Sequence, residues 1–229
     1  MTVHRRAFAT GATALAVSPA LVGNQALVGR QALAASPVLA APPDLKFQVF
    51  RNGSGIGEHA IAFRQEGTVL IASIAVDIAV RLGPIVIYRY GLTARETWRD
   101  GQFASLDCQV ADNGTRRLVK AARTAAGVTV EVDGKALAML PAGTLPLTHW
   151  NQQCMERPLF NPDDGLAIAS RVVPRGEEMV PLAGGGQLRA SRYSLVGKVE
   201  LDDWYDTARN WASLRSPGSD GSRITYTRV

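Results

Sequence analysis

From Leu45 onward the chain is patterned in twos. Leu45-Lys46-Phe47-Gln48-Val49-Phe50 alternates apolar and polar residues and stops at Asn52-Gly53, and Gly55 to Phe63 resumes the alternation. Side chains on a strand point to opposite faces in turn, so a period of two marks half-buried strands. Thr68 to Leu82 is rich in Ile and Val without a sustained 3.6-residue repeat, which predicts another strand, ended by Gly83-Pro84. The central stretch, Pro84 to Lys120, holds two long strands and the start of a third, joined by Asp100-Gly101 and Asn113-Gly114. Such dipeptides accept φ > 0 at both central positions of a tight hairpin turn. Val128 to Val132, Asp133-Gly134 and Lys135 to Leu140 continue the meander.

The pattern breaks between Pro141 and Pro162. Pro146 to Glu156 reads as one short helix around His149 to Cys154, with Thr148 as N-cap and Pro158 beyond its end. Strands then return at Leu166–Val173, Glu178–Leu182, Gln187–Val196, Val199–Tyr205, Trp211–Leu214 and Arg223–Thr227. Gly184-Gly185-Gly186 and Ser219-Asp220-Gly221 supply turns. Sequential strands that pair with their neighbours make one all-β domain. The expected fold is a long antiparallel sheet curled into a half-open or closed barrel, with one short helix.

On the strand after Pro84, the residues Val86, Tyr88, Tyr90, Leu92, Ala94, Glu96 and Trp98 share one face, and Arg89, Arg95 and Arg99 share the other. With Asp100-Gly101 as a two-residue loop, Trp98 faces Phe103, Glu96 faces Ser105 and Ala94 faces Asp107. The next turn sets Asp107 opposite Lys120 and Gln109 opposite Leu118. Glu96 therefore stands in an apolar row, where a carboxylate needs hydrogen bonds or a cation, or else keeps its proton. Two readings follow: a ligand contact or acid/base group, or a satisfied structural carboxyl.

Composition changes the picture mainly through the first forty residues. Arg5-Arg6, an apolar Ala-rich run from Ala12 to Val17 and a cleavage position after Ala20 (Ser18-Pro19-Ala20) or Ala40 (Val38-Leu39-Ala40) have the form of an export signal, similar to the twin-arginine type. The hexad Ala20-Leu21-Val22-Gly23-Asn24-Gln25 is nearly repeated at Ala26 to Gln31, which reads as leader expansion; the apolar run is too short for a membrane span. Residues 1–40 are thus expected to be an export leader and 41–229 a single domain, placed in the periplasm or secreted. The leader carries three of the 25 basic residues and no acid, which leaves 22 basic against 20 acidic residues. Nucleic-acid binding loses its electrostatic support.

Cys108 and Cys154 are the two cysteines. In an oxidising compartment they permit one disulfide closing a loop of about 45 residues, worth ~3–4 kcal/mol in the chain-entropy model. The other reading is two separate buried thiols. Glu200, Asp202, Asp203 and Asp206 lack the ordered spacing of a calcium loop and read as solvated acids. Gly53-Ser54-Gly55-Ile56-Gly57 lacks both the spacing and the following helix of a phosphate loop. No HExxH, GxSxG, paired CxxC or Walker sequence occurs. No catalytic residue, metal site or cofactor is assigned.

A resemblance adds to this reading. Tyr88-Arg89-Tyr90, Glu96-x-Trp98-Arg99-x-Gly101, Leu106-Asp107, Asp112-Asn113-Gly114, Trp150-Asn151, Asn161-Pro162 and Trp204-Tyr205 together resemble an uncharacterised family of exported bacterial proteins, a domain of unknown function, over about Leu45 to Val229. That family is similar in pattern to half-open envelope barrels such as periplasmic lipoprotein carriers. The resemblance implies a concave sheet able to hold an apolar or lipid-like ligand. Tyr88, Tyr90, Glu96, Trp98, His149, Trp150, Asn151, Trp204 and Tyr205 are the candidate lining residues. An envelope assembly protein with an unknown protein partner, and a hydrolase using Glu96 or His149, are the alternatives.

Overall fold

The computed structural model describes residues 41–229, so the expected export leader and its expected cleavage lie outside the described residues. Strands β1 (Leu45–Arg51), β2 (Ser54–Glu66), β3 (Val69–Leu82), β4 (Ile85–Arg99), β5 (Gln102–Asp112), β6 (Thr115–Arg123), β7 (Val128–Val132) and β8 (Lys135–Leu140) run as a meander. After two short strands, β9 (Leu145–Pro146) and β10 (Leu159–Phe160), the meander resumes. Its second half is β11 (Ser170–Pro181), β12 (Gln187–Gly197), β13 (Leu201–Asp206), β14 (Trp211–Pro217) and β15 (Arg223–Arg228). Thirteen strands form one sheet in the order β11-β12-β13-β14-β15-β1-β2-β3-β4-β5-β6-β7-β8. β8 and β11 do not pair, so the barrel is half-open.

The turns form for a local reason. Asn52-Gly53, Asp100-Gly101, Asn113-Gly114 and Asp133-Gly134 all have φ > 0 at both residues, the twist that carries one strand straight into the next. Alternation then selects the buried face. Phe47 and Val49 of β1, Ile74 and Val76 of β3, Leu92 and Ala94 of β4, and Val119 and Ala121 of β6 all join one core cluster. On the other face Asp107 meets Lys120 at 3.7 Å, in the expected register.

One register differs from expectation. Trp98 does face Phe103, but Glu96 faces Leu106 and Ala94 faces Cys108, because a bulge shifts the β4–β5 ladder between Thr97 and Trp98. Without the extra residue, Ser105 and Asp107 would point into the core in place of Leu106 and Cys108. Burying the apolar pair decides the register.

Residues 141–169 leave the sheet and cover its concave face. Leu145, Leu147, Trp150, Cys154, Met155, Leu159 and Phe160 from this plug are buried in the same core as the sheet. β9 and β10 pair in parallel within it. The interior is therefore largely filled by the chain itself. The helix is shorter than expected, a 3-10 turn at Gln152–Glu156. Its N-cap is Asn151, whose Oδ1 accepts the Gln153 N–H at 3.0 Å. Thr148 is no cap because His149 turns into the left-handed region at φ 68° and Asn151 is extended, so no helix passes through them.

Gly57 marks the tightest backbone approach in the wall. It sits beside the β1–β2 bulge, and a Cβ there would stand 2.0 Å from the Asp77 carbonyl oxygen and 2.8 Å from Ile78 Cα. Gly57→Ala is expected to lower the unfolding free energy by ~1–3 kcal/mol in urea titration. Gly55→Ala, with open space around its Cβ, should stay within about 0.5 kcal/mol.

Candidate functional site

Two buried carboxyl groups organise the interior. The first is Glu96, fully enclosed on β4. The indole N–H groups of Trp98 and Trp150 both donate to its Oε2, at 2.8 and 3.0 Å. One indole comes from the wall and the other from the plug, and the two rings meet edge to face at 5.4 Å. Burial raises the Glu96 pKa above the ordinary glutamate value, while the Thr148 hydroxyl and the two indoles pull it the other way. Oε1 and the Thr148 Oγ1 are both buried without a partner of hydrogen-bond geometry, so the indoles carry more weight than Thr148. Among the described residues no cation bonds to the carboxyl, and the neutral acid is the form this environment favours. Glu96 is thus a structural strut.

The second is Asp203, also fully enclosed. Its Oδ2 lies 2.8 Å from His149 Nδ1, and its Oδ1 accepts the Trp211 indole N–H at 3.0 Å. The His149 ring stacks on Trp211 at 5.1 Å with an 18° tilt. Tyr205 donates its hydroxyl to the His149 carbonyl at 2.7 Å, which anchors the left-handed backbone there. A carboxylate on Nδ1 fixes the orientation of the ring and leaves Nε2 for other partners. His59 of β2 packs edge-on to the other side of this group, 5.1 Å from Trp211 and 5.7 Å from Tyr226. Burial first, and then the charge of His149, lower the His59 pKa to about 3, which keeps it neutral. Its Nε2 is buried without a partner.

A cavity of about 280 Å³ opens between this group and the wall. Its apolar sides include Ile74, Val76, Leu92, Leu147 and Leu214, and His59, Tyr90, His149, Asp163 and Tyr226 supply polar edges. Tyr90 donates its hydroxyl to Asp163 at 2.9 Å, and Arg117 donates to the Asp163 carbonyl at 2.8 Å. Burial raises the Asp163 pKa, against the Tyr90 hydrogen bond, which lowers it.

Of the expected lining residues, Tyr90 and His149 border this cavity, and Tyr205 supports His149 from behind. Glu96, Trp98 and Trp150 lie in closed packing instead, and Asn151 serves as a cap. Tyr88 is exposed. Trp204 faces away from Asp203 and Tyr205, into a small cluster with Val180, Ala190 and Ala212. Its ring is flanked by Arg192 and Arg215, and its N–H donates to Glu178 at 2.6 Å. The residues missed are His59, Thr148, Asp163, Asp203 and Tyr226. Strand parity carried a signal for two of them: His59 alternates with Ile61, and Asp203 with Leu201 and Tyr205, so both belong to apolar rows. The reading of Asp203 as a solvated acid is corrected accordingly. Both cysteines are free and buried, with no bridge between them. Cys154 Sγ donates to the Pro146 carbonyl at 3.3 Å.

Fold and interior together define a half-open, plugged antiparallel β-barrel. The chain belongs to the family described as Domain of unknown function (DUF6134), which matches residues 47–229. It is also similar to the crystal structure of a β-barrel-like protein of domain of unknown function DUF1849 from Brucella abortus. The TM-score is 0.58 at 10% identity, covering 81% of this chain and 94% of that one. At that identity the likeness is one of fold. No curated protein matches the chain.

The protonation of Glu96 has a measurable consequence. Its folded-state pKa lies above the unfolded value of 4.5, so its contribution is whole below that value and is lost as pH rises towards the folded pKa. Glu96→Gln keeps a carbonyl oxygen for both indoles without a titrating proton. The stability of this variant relative to wild type is expected to increase as denaturation is repeated from acidic to alkaline pH. A difference that does not change with pH contradicts the neutral acid. The thiols give a second check. Burial pushes Cys108 up to about 12, and Cys154 is pushed up as well. Native protein should resist iodoacetamide at neutral pH, and both thiols should react in denaturant without reductant.

Proposed function

We propose that this protein binds, without transforming it, a compact lipid-like or otherwise apolar ligand that carries one polar group. The observation that carries this reading is the 280 Å³ cavity, apolar on its walls and edged by Tyr90, His149 and Asp163. Ligand sites combine largely apolar linings with a few placed polar groups, and this volume lies just below the ~300 Å³ at which their usual range begins. The plug fills the rest of the concave face, so the ligand is a short chain or ring rather than a pair of long acyl tails. His149 would meet its polar group through Nε2, with the ring held by Asp203. The leader-like residues 1–40 support an exported, periplasmic setting.

A second reading is favoured by the same Asp203–His149 pair, which resembles an oriented general base. Under it, the protein is a hydrolase acting through His149. Glu96 has no part in that reading, because its carboxyl is closed off from the cavity. Loss of ligand turnover, rather than of ligand affinity, in His149→Gln would distinguish the two.

The test of the binding reading is native mass spectrometry of protein isolated under gentle conditions, followed by titration with a polarity-sensitive fluorescent fatty-acid analogue. Wild type is expected to carry or take up an amphiphile. Val76→Phe, which fills the cavity, should weaken uptake at least ~tenfold, the scale of losing one buried apolar contact set, and keep the fold. A protein that never carries or takes up an amphiphile rules the reading out.

A further inference from the structure

Exposed large hydrophobic residues concentrate at the tip of the β3–β4 hairpin. Ten large hydrophobic residues are exposed among the described residues, and five of them, Leu82, Ile85, Val86, Ile87 and Tyr88, fall within seven positions. Leu82 is 70% exposed and Ile85 63%. Such a concentration differs from the scattered exposed hydrophobics normal on a surface.

The register shows why it stands free. β3 last pairs with β2 at Ile78–Gly57, and β4 first pairs with β5 at Tyr90–Asp112. Between Ala79 and Arg89 the two strands pair only with each other. On the β4 side this two-stranded ribbon runs past the β5–β6 turn by about four residues, or ~13 Å at the usual strand rise. On the β3 side Ser54, Gly55 and Ile56 of β2 share a hollow with Ala79, Val80 and Arg81 without ladder pairing, so the free part is the tip from Leu82 to Tyr88. Ile85, Val86, Ile87 and Tyr88 are consecutive, so their side chains fall on both faces of the ribbon. A flat protein partner would cover one face and leave the other in water. A medium that closes around the whole tip satisfies both.

Charge selects the medium. Arg81 lies within the ribbon and Arg89 at its base, where its carbonyl accepts the Asn113 N–H. Arg116 pairs in register with Ala111, on the strand beside it. None of the three arginines takes part in an ion pair among the described residues. Asp112 and Asp163 are the acids near Tyr88, and Asp77 stands one row below Arg89 on its face of the ladder; all three lie at or below the base of the ribbon, away from its tip. Apolar tips with basic flanks fit an anionic lipid surface, with the arginines at headgroup level. The ribbon's length suits entry into the headgroup and upper acyl region, well short of the ~30 Å hydrocarbon core. We propose that the β3–β4 hairpin docks the protein on an anionic membrane surface by immersing Leu82, Ile85, Val86, Ile87 and Tyr88, with Arg81, Arg89 and Arg116 against the lipid headgroups.

The surface acts independently of the interior cavity, so a Val76→Phe protein should dock as wild type does. The test is co-sedimentation with vesicles of phosphatidylcholine alone or mixed with phosphatidylglycerol. Wild type should bind the mixed vesicles and release as salt is added. Ile85→Ser with Ile87→Ser should bind at least ~tenfold more weakly, and Arg→Gln at positions 81, 89 and 116 should cost about fivefold per arginine at low salt. These side chains are exposed, and an unchanged thermal midpoint shows that each variant folds. Wild type left in the supernatant overturns the proposal, as does the serine variant binding like wild type. A photo-crosslinker at position 87 that labels a protein rather than lipid in the envelope also overturns it.

Discussion

The hydrogen bonds from Trp98 and Trp150 to the Glu96 carboxyl tie together the two parts on which this fold depends. A sheet that curls without closing leaves its apolar concave face uncovered, and a sheet must bury that face against another layer. Here the cover is residues 141–169 of the same chain. Apolar contact alone would allow such a segment to slide. An acceptor on the wall, shared by one donor from the wall and one from the plug, gives the contact a single register. The carboxyl can stay in so dry a place because burial favours its neutral form and its Oε2 accepts two indole N–H groups.

The two buried acids use the same residue chemistry for different ends. Glu96 and Asp203 each stand in an apolar row of a strand, and each accepts a tryptophan N–H. Among the described residues Glu96 bonds to no base, and it does not line the cavity beside His149. Asp203 meets His149, and His149 borders the cavity together with His59 and Tyr90. What separates a support from a candidate site is the open volume and the second titratable partner, because burial and a raised pKa occur at structural positions too. The left-handed backbone of His149, held by the Tyr205 hydroxyl, fits the same distinction. Backbone conformations of this kind cost free energy and persist where the surroundings hold them.

The strands and tight turns were legible because their causes are local. Alternation over five to ten residues and four Asn/Asp-Gly corners suffice for a meander. The β4–β5 bulge was legible only in hindsight, from Phe103 and Leu106 lying an odd number of residues apart while both are buried. The 141–169 segment was much less so. Thr148 has the chemistry of a cap, but the left-handed turn at His149 is imposed by contacts with Tyr205 and Asp203, more than fifty residues away. The pairing of Trp150 with Glu96 is equally remote in sequence. Cysteine count and spacing said nothing about separation in space, and the thiols proved free. Tyr88 and Trp204 were expected to line the concave sheet. Their positions depend on where a strand outruns its neighbours and on which face of β13 meets the plug.

The seam between β1 and β15 lies in the middle of the thirteen-stranded order, with Val49 opposite Tyr226. The strands at the two free edges, β8 and β11, come from the interior of the chain. A nascent chain can form hairpins as it emerges, but it cannot join the two halves of the sheet until residues beyond 220 have been made. Until then two half-sheets each present a raw central edge, a template for mispairing with other chains. The two halves of the sheet therefore stay apart until β15 is available, and closing the β1–β15 seam is the step on which assembly of the sheet waits.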